Sequence, residues 1–241
     1  MSFRNLRLPV IQAPMFLLSG PEMVIASCRA GIVGSFPSPN ARTIDELEQW
    51  LLSITEALAD SPQAAPWALN LVMHRSNPRR LEDLQLAVKY RAPIVITALG
   101  SPDEAVDAVQ AYGGKVYADV TTIEFARRAA ASGVDGLALV CCGAGGHTGQ
   151  LSPFAFIDEV RQFFDGEIIL SGAIGNGRAI RAAQILGADY VYMGTRFIPT
   201  EESLAQTDYK TMVVESNGAD IVTSDSVTGV KANWLKGSLV N

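Results

Sequence analysis

Ile168-Ile169-Leu170-Ser171-Gly172-Ala173-Ile174-Gly175-Asn176-Gly177-Arg178 passes from an apolar run, through a glycine-rich turn, into the start of a helical stretch. An apolar run without strict alternation is what a strand covered on both faces requires. The same unit recurs along the chain. Strands are expected at Val10–Met15, Ile32–Phe36, Trp67–Val72, Ile94–Leu99, Lys115–Val120, Gly136–Cys141, Ile168–Ala173 and Tyr190–Thr195. Helices are expected between them at Pro21–Ala30, Thr43–Ala59, Arg79–Tyr90, Pro102–Tyr112, Thr122–Ser132, Pro153–Phe164 and Gly177–Leu186. Ser101-Pro102-Asp103-Glu104 reads as a helix start, with a cap, a Pro in the first turn and acids near the positive dipole end. Gly31, Gly133 and Gly187 fall just past helix ends, where a left-handed residue belongs. Strands and helices alternating in this number imply an α/β fold, a (β/α)8 TIM barrel. An open doubly wound sheet has the same alternation, because sequence does not display closure. One domain is expected over residues 1–241, with about 200–241 as an extension beyond the eighth strand. Ser61–Pro66 reads as a loop rather than a linker.

Composition narrows the function classes. The chain has 241 residues, 48% hydrophobic and 18% charged, with a net charge of −6. That balance repels a phosphate polyanion, so no nucleic-acid partner is expected. No apolar run approaches the roughly 20 residues that span a bilayer, and MSFRNLRLPV carries no signal-peptide core. A membrane role is not expected, and a reducing, cytoplasmic setting is. Three cysteines, two of them adjacent (Cys141, Cys142), do not make a disulfide framework. No Cys/His spacing suggests zinc, so no metal is expected. Cys141 and Cys142 read as small buried hydrophobes.

In a barrel of this kind, chemistry sits in the loops after the strands. The seventh strand ends in Ser171-Gly172-Ala173, and the eighth ends in Tyr192-Met193-Gly194-Thr195-Arg196-Phe197. Glycines there let backbone N–H groups approach a phosphate, and a helix N-terminus adds a favourable dipole. Read singly, each loop serves equally well as a tight turn. The two together, on adjacent final strands, favour a phosphate site. After the first strand comes Ala13-Pro14-Met15-Phe16, either backbone over the barrel mouth or a plain turn into the cap-like Ser19-Gly20-Pro21-Glu22. Asn70 interrupts the apolar run Trp67–Val72. A buried amide needs partners, and these could be structural or a ligand.

The sixth strand runs into Cys141-Cys142-Gly143-Ala144-Gly145-Gly146-His147-Thr148-Gly149-Gln150. A histidine in a glycine-rich loop has no helical face to pack on. Imidazole titrates near neutral pH, so it can take a proton or hold an anion. His147 is the candidate catalytic residue. His74, in Met73-His74-Arg75-Ser76-Asn77-Pro78, reads as a solvated loop residue.

The succession QAPM, WALNLV, GAGGHTG, LSGAIGNGRAI and GADYVYMGTRF resembles the nitronate monooxygenase family, formerly called 2-nitropropane dioxygenases. The resemblance runs from about Leu8 to Leu239, and GGHTG combined with MGTRF is its specific part. It implies an FMN-dependent barrel that oxidises alkyl nitronates with O2 to a carbonyl compound and nitrite. His147 then matches the active-site histidine, which binds the nitronate or abstracts the proton α to a nitro group. Pro14, Met15 and Phe16, after Ala13, match the segment lining the flavin. Asn70 and Val72 match the third-strand segment near the cofactor, and Gly145 and Gly146 precede the histidine beside it. Ser171, Gly172 and Ala173, with Gly194 and Thr195, match the FMN-phosphate loops.

Two departures from the family pattern stand out. Asp119 occupies the end of the fifth strand, where some relatives carry a lysine, which removes a positive charge beside the flavin. Relatives also continue past the segment resembling Thr228–Leu235 with a helical part over the site, so part of a lid is expected to be missing. Other readings stay open: an NAD(P)H-dependent flavin reductase for quinones or enoyl thioesters, a non-catalytic FMN carrier, and a phosphosugar barrel without flavin. Homo-oligomerisation is left open.

Overall fold

The computed structural model describes residues 6–239; residues 1–5, part of the segment searched for a signal peptide, and 240–241 lie outside the description. In chain order the strands are β1 (Val10–Gln12), β2 (Gly34–Pro37), β3 (Trp67–Val72), β4 (Ile94–Ala98), β5 (Lys115–Val120), β6 (Gly136–Val140), β7 (Gly146–His147), β8 (Glu167–Ser171), β9 (Tyr190–Met193), β10 (Ile221–Ser224) and β11 (Ala232–Leu235). The α-helices are α1 (Pro21–Arg29), α2 (Ile44–Ala59), α3 (Arg80–Lys89), α4 (Asp103–Gln110), α5 (Ile123–Ala131), α6 (Pro153–Arg161), α7 (Gly177–Ile185) and α8 (Thr207–Glu215).

Eight parallel strands pair in the order β1-β9-β8-β6-β5-β4-β3-β2. The two ends of that order meet. Ile11 bridges Val33 in parallel, with Gln12 N–H donating to Val33 O at 2.8 Å and Val33 N–H to Val10 O at 3.0 Å. The Gln12 side chain continues the seam where the ladder stops, its Oε1 accepting from Ser35 N–H at 2.9 Å. The sheet is a TIM barrel, and the open-sheet alternative is excluded.

Alternation along each strand sorts the core into two shells. Ile11, Val33, Ala68, Ile94, Ile96, Tyr117, Ala138, Ile169 and Tyr192 fill the barrel interior. The intervening residues, among them Val10, Leu69, Val95, Val116, Leu139, Leu170 and Val191, face the helices. Strands buried on both faces explain why these runs read as continuously apolar.

Five expected strands run past their pairing. The ladder ends at Gln12↔Met193 and Ser171↔Tyr192, so Met15 and Ala173 lie in loops and Thr195 opens a short 3-10 turn, Thr195–Phe197, while Leu99 follows β4 and Cys141 follows β6. Ile32 precedes β2 because Val33 makes only the single bridge. Ser101 is not the cap of α4: Pro102 occupies that position, and the Ser101 hydroxyl bonds Asp103 Oδ2 at 2.7 Å. Ser19 does not cap α1 either, a role that falls to Gly20. The glycines past α1, α5 and α7 are left-handed, with φ of 84° at Gly31, 81° at Gly133 and 101° at Gly187.

The C-terminal extension is more structured than its sequence suggested. Beyond β9 come α8 and the antiparallel hairpin β10–β11. Strand β11 reaches back to pair with β7, Ala232 opposite His147 and Asn233 opposite Gly146.

Gly34 opens β2 where α1 crosses it. A Cβ there would lie 2.8 Å from Val24 Cα and 2.9 Å from Val24 C, both backbone atoms that cannot rotate away. Gly34→Ala is therefore expected to cost about 3 kcal/mol or more. In a chain of this size that lowers Tm by roughly 6–12 °C. An unchanged thermal midpoint would show that α1 is free to shift.

Candidate active site

The residues one alternation above the inner shell, at the C-terminal ends of the strands, form the floor of the barrel mouth. They are Ala13, Ser35, Asn70, Ala98, Asp119, Val140, Ser171 and Gly194, each two residues beyond an inner-shell residue on its strand. Most of them are half-buried. Small side chains dominate, so the floor is flat, and its polar groups are few. Asn70 Nδ2 donates to Ile96 O at 3.3 Å and to Asp119 Oδ2 at 3.4 Å. Tyr192 O–H donates to Asp119 Oδ1 at 3.2 Å. Desolvation pushes the Asp119 carboxyl up to about 7, against the opposing pull of Tyr192 and Asn70. Burial, and then the nearby Asp119 carboxyl, raise the Tyr192 phenol well above its ordinary range.

The loop after β1 is held over this floor by side chains the sequence reading passed over. Ser19 Oγ accepts from Met15 N–H at 3.0 Å and from Gln12 Nε2 at 3.1 Å. Asn40 Oδ1 accepts from Leu17 N–H at 2.7 Å, and its Nδ2 donates to Met15 O at 2.9 Å and Ser19 O at 2.8 Å. Leu17 needs that support, because its φ of 64° is left-handed for a non-glycine residue. Asn40 is in turn fixed by the short 3-10 turn Ser38–Asn40, where Ser38 O–H donates to buried Asp83 at 2.7 Å. Polar residues buried in loops carry this signal, but a single sequence does not say what they hold.

The loops after β6, β8 and β9 meet. Ala173 N–H donates to Gly143 O at 3.0 Å, and Arg196 from the β9 loop donates through Nε to Gly175 O at 2.7 Å. Gly172 has φ of 135°, and a Cβ there would lie 2.8 Å from Cys142 O, so protein alone dictates a glycine. Gly149 is required for the same reason, since its Cβ would collide with Val140 O. Gly194 differs. Its φ is −109°, and a Cβ would meet only Met15 Sδ at 3.4 Å and Ala13 Cβ at 3.7 Å. At Gly175 a Cβ would meet only Arg196 Nε at 3.8 Å, and at Gly145 only Thr195 Oγ1 at 3.9 Å. Neither packing nor a left-handed backbone requires a glycine at these three positions.

His147 lies elsewhere in the same face. It is exposed and sits in β7 rather than in an unstructured loop, stitched to β11. Its Nε2 lies 3.4 Å from Thr228 Oγ1. The loop is closed at its base by Cys142 N–H to Leu151 O at 2.9 Å and braced by Asn233 Nδ2 to Ala144 O at 2.8 Å. A recess of about 260 Å³ separates this loop from the hairpin, lined by Cys142, Thr148, Gln150, Thr223, Lys231 and Asn233 among others.

The sequence candidates thus fall into groups. Ala13, Asn70, Asp119, Ser171 and Gly194 share the floor, with Val72 one alternation further out on β3. Pro14 and Met15 overhang it, while Phe16 points outward, 58% exposed, beside Arg42. Gly172, Ala173, Gly145 and Thr195 line the junction of loops. Gly146 and His147 stand on the small sheet, with no hydrogen bond to the floor among the described residues. Cys141 is buried as expected, its thiol pushed up to about 12 by desolvation. Cys142 is exposed, contrary to expectation, because the chain turns outward there. His74 is exposed, with Nδ1 2.7 Å from Ser76 Oγ. Among the described residues, no cluster of His, Cys, Asp and Glu could hold a metal, and no helix is long and apolar enough to cross a membrane.

A family model described as nitronate monooxygenase matches residues 1–241. The chain belongs to the nitronate monooxygenase family. It is 28% identical over 273 residues to a nitronate monooxygenase of Pseudomonas aeruginosa, matching 94% of this chain and 76% of that one. It is equally, 28%, identical over 234 residues to a (3aS,4S,5R,7aS)-5-hydroxy-7a-methyl-1-oxo-octahydro-1H-indene-4-carboxyl-CoA dehydrogenase of Rhodococcus jostii. There it covers 97% of this chain but 64% of the relative, so the chain spans less than two thirds of that protein's length. Among solved structures, FabK from Thermotoga maritima superposes with a TM-score of 0.86 at 25% identity, over 97% of this chain and 73% of that one.

Proposed function

We propose that this nitronate monooxygenase family member binds FMN in the barrel mouth and oxidises alkyl nitronates with O2 to a carbonyl compound and nitrite. The observation that carries the reading is the set of glycines at 145, 175 and 194 that the protein does not itself require, arranged around a flat floor of small side chains. A planar ring fits the floor, and a phosphate fits the junction where backbone N–H groups of Gly172, Gly194 and Thr195 would hold it. The Arg196 guanidinium, spanning the loops after β8 and β9, adds positive charge beside that junction. When bound, FMN supplies the redox chemistry, accepting electrons from the substrate and passing them to O2.

The chain's own residues bind and orient. His147, presented by β7, donates a hydrogen bond to the planar nitronate anion, or accepts the proton α to a nitro group when the neutral nitroalkane is offered. Met15 and the Pro14 turn overhang the floor and exclude water from one side. No nucleophile or paired carboxylate is needed for such chemistry.

Asp119 favours a second reading. Once ionised, above about pH 7, Asp119 would repel an anionic substrate, which suits a neutral thioester carbonyl and the carboxyl-CoA dehydrogenase relative better. The two readings separate in one experiment. The purified protein should be yellow, with the visible band of oxidised flavin, and should release nitrite from a nitronate while consuming O2. Rapid anaerobic bleaching by NADH or NADPH, with no nitrite formed, would establish a reductase instead, and a colourless protein that takes up no FMN would overturn both.

A further inference from the structure

Asp119 is the one ionisable residue of the floor. Strand alternation aims it inward above Tyr117, and β6 sets Ala138 directly beside it. The groups facing it are Tyr192 from β9 and Asn70 from β3. Strand β4 contributes Ala98 to the same ring, and β6 contributes Val140, neither of which carries charge. No ion pair among the described residues includes Asp119. A carboxylate taken out of water with no counter-charge is costly, and two hydrogen bonds of 3.2 and 3.4 Å offset little of that cost.

We propose that Asp119 is the specificity-determining residue of the mouth, presenting a neutral carboxyl whose proton is offered upward to an acceptor atom of the bound planar group. This rests on the reading that the mouth holds FMN. The direction follows from donor and acceptor counting. Both inward neighbours donate to the Asp119 oxygens, so of the inward partners only the Tyr192 oxygen can take the acid proton, and only by reversing its own bond. An acceptor on the ligand side leaves both bonds as they stand. A planar ring laid over the floor removes the remaining water and stabilises the neutral form further. The upward shift of Asp119 agrees in direction. The protonated floor is also uncharged, so an anionic substrate above the ring is not repelled.

Two linkages follow. In the flavin-free protein the folded-state value lies above the unfolded one, so the neutral acid is the favoured form in the fold. Stability from this group is full below the unfolded value near 4 and is lost as pH rises through about 7. Flavin binding takes up a proton once the free carboxyl has ionised, so affinity falls as pH rises above neutrality, by on the order of tenfold per pH unit.

The test uses wild type and Asp119→Asn, which keeps a neutral donor and acceptor of the same shape. Thermal midpoints of the flavin-free proteins and Kd for FMN and riboflavin are measured from about pH 5 to about pH 9, spanning the ordinary and shifted carboxyl ranges. Riboflavin lacks the phosphate, which titrates on its own. The expected result is a wild-type midpoint that falls relative to the variant between about pH 5 and about pH 7 and levels off above, and a Kd for both flavins that weakens above neutrality in wild type but stays flat in Asp119→Asn. Parallel profiles in both measurements would overturn the proposal. If neither flavin binds while the midpoints still diverge between about pH 5 and about pH 7, the FMN reading fails and the neutral carboxyl stands. Should the variant not fold, calorimetry on wild type in buffers of different ionisation enthalpy decides. Net proton uptake with riboflavin at about pH 8 supports the proposal, and zero or net release overturns it.

Discussion

Gly194→Val is expected to purify folded but nearly free of flavin, with FMN affinity reduced at least tenfold, or about 1.4 kcal/mol. The backbone at Gly194, φ −109° and ψ −65°, lies outside the left-handed region that demands glycine. The nearest atom to an added Cβ is the flexible Met15 thioether at 3.4 Å, ordinary contact distance. The protein therefore tolerates the side chain, and the stability of the flavin-free form should change by no more than about 1 kcal/mol. What the valine occupies is the open space beside Ala13 and Met15 that a ligand would enter. Gly172→Val is the contrasting variant: its left-handed backbone and the Cys142 carbonyl at 2.8 Å make it lose flavin and stability together. Flavin content by absorbance and thermal midpoint by circular dichroism separate the two effects. Full FMN occupancy in Gly194→Val would remove the β9 loop from the cofactor site.

That contrast shows what the sequence discloses and what it withholds. The βα rhythm was legible because Ile168–Leu170 or Ile94–Ile96 are buried on both faces and so stay apolar throughout. Asn70 was legible as an exception to that pattern, whereas Asp119 stood out only against the lysine that some relatives carry. Ser35, Ala98 and Val140 share the same floor but were not, since small or apolar residues near strand ends carry no chemical signature. The buried amides Gln12 and Asn40, which close the barrel seam and hold the Ala13–Gly20 loop, look like ordinary polar residues until their partners are in place.

The small sheet was missed for a different reason. Strand β7 is two residues long and exists only because β11, far along the chain, supplies its hydrogen bonds. Pairing at that separation leaves no local trace. Helix α8 buries no residue fully, so it lacks the apolar stripe that reveals a helix. The stretch around His147 thus reads from sequence as loop alone, although distant pairing braces it.

His147→Asn tests whether that braced histidine does chemistry, and it should produce the largest change in turnover. The variant is expected to retain FMN, because the floor and the β8 and β9 loops do not depend on His147 for any hydrogen bond among the described residues. Its backbone pairing with Ala232 involves no side-chain atom, so β7 should persist. With a neutral nitroalkane the substrate must first lose its α-proton, and removal of a general base costs about 10²–10⁴-fold in kcat/KM. A preformed nitronate requires no deprotonation and should lose only what anion binding contributes, on the order of tenfold for one charge-assisted hydrogen bond. The asparagine can still donate one hydrogen bond, which favours the smaller figure. Thr228→Val supplies the control: it removes the hydroxyl 3.4 Å from His147 Nε2 but leaves the imidazole, and both substrates should then be affected little and alike. Equal losses with nitroalkane and nitronate in His147→Asn would mean that the imidazole binds and orients without taking a proton. Unchanged kcat/KM for both would place the chemistry entirely over the barrel floor, with the small sheet serving only as its wall.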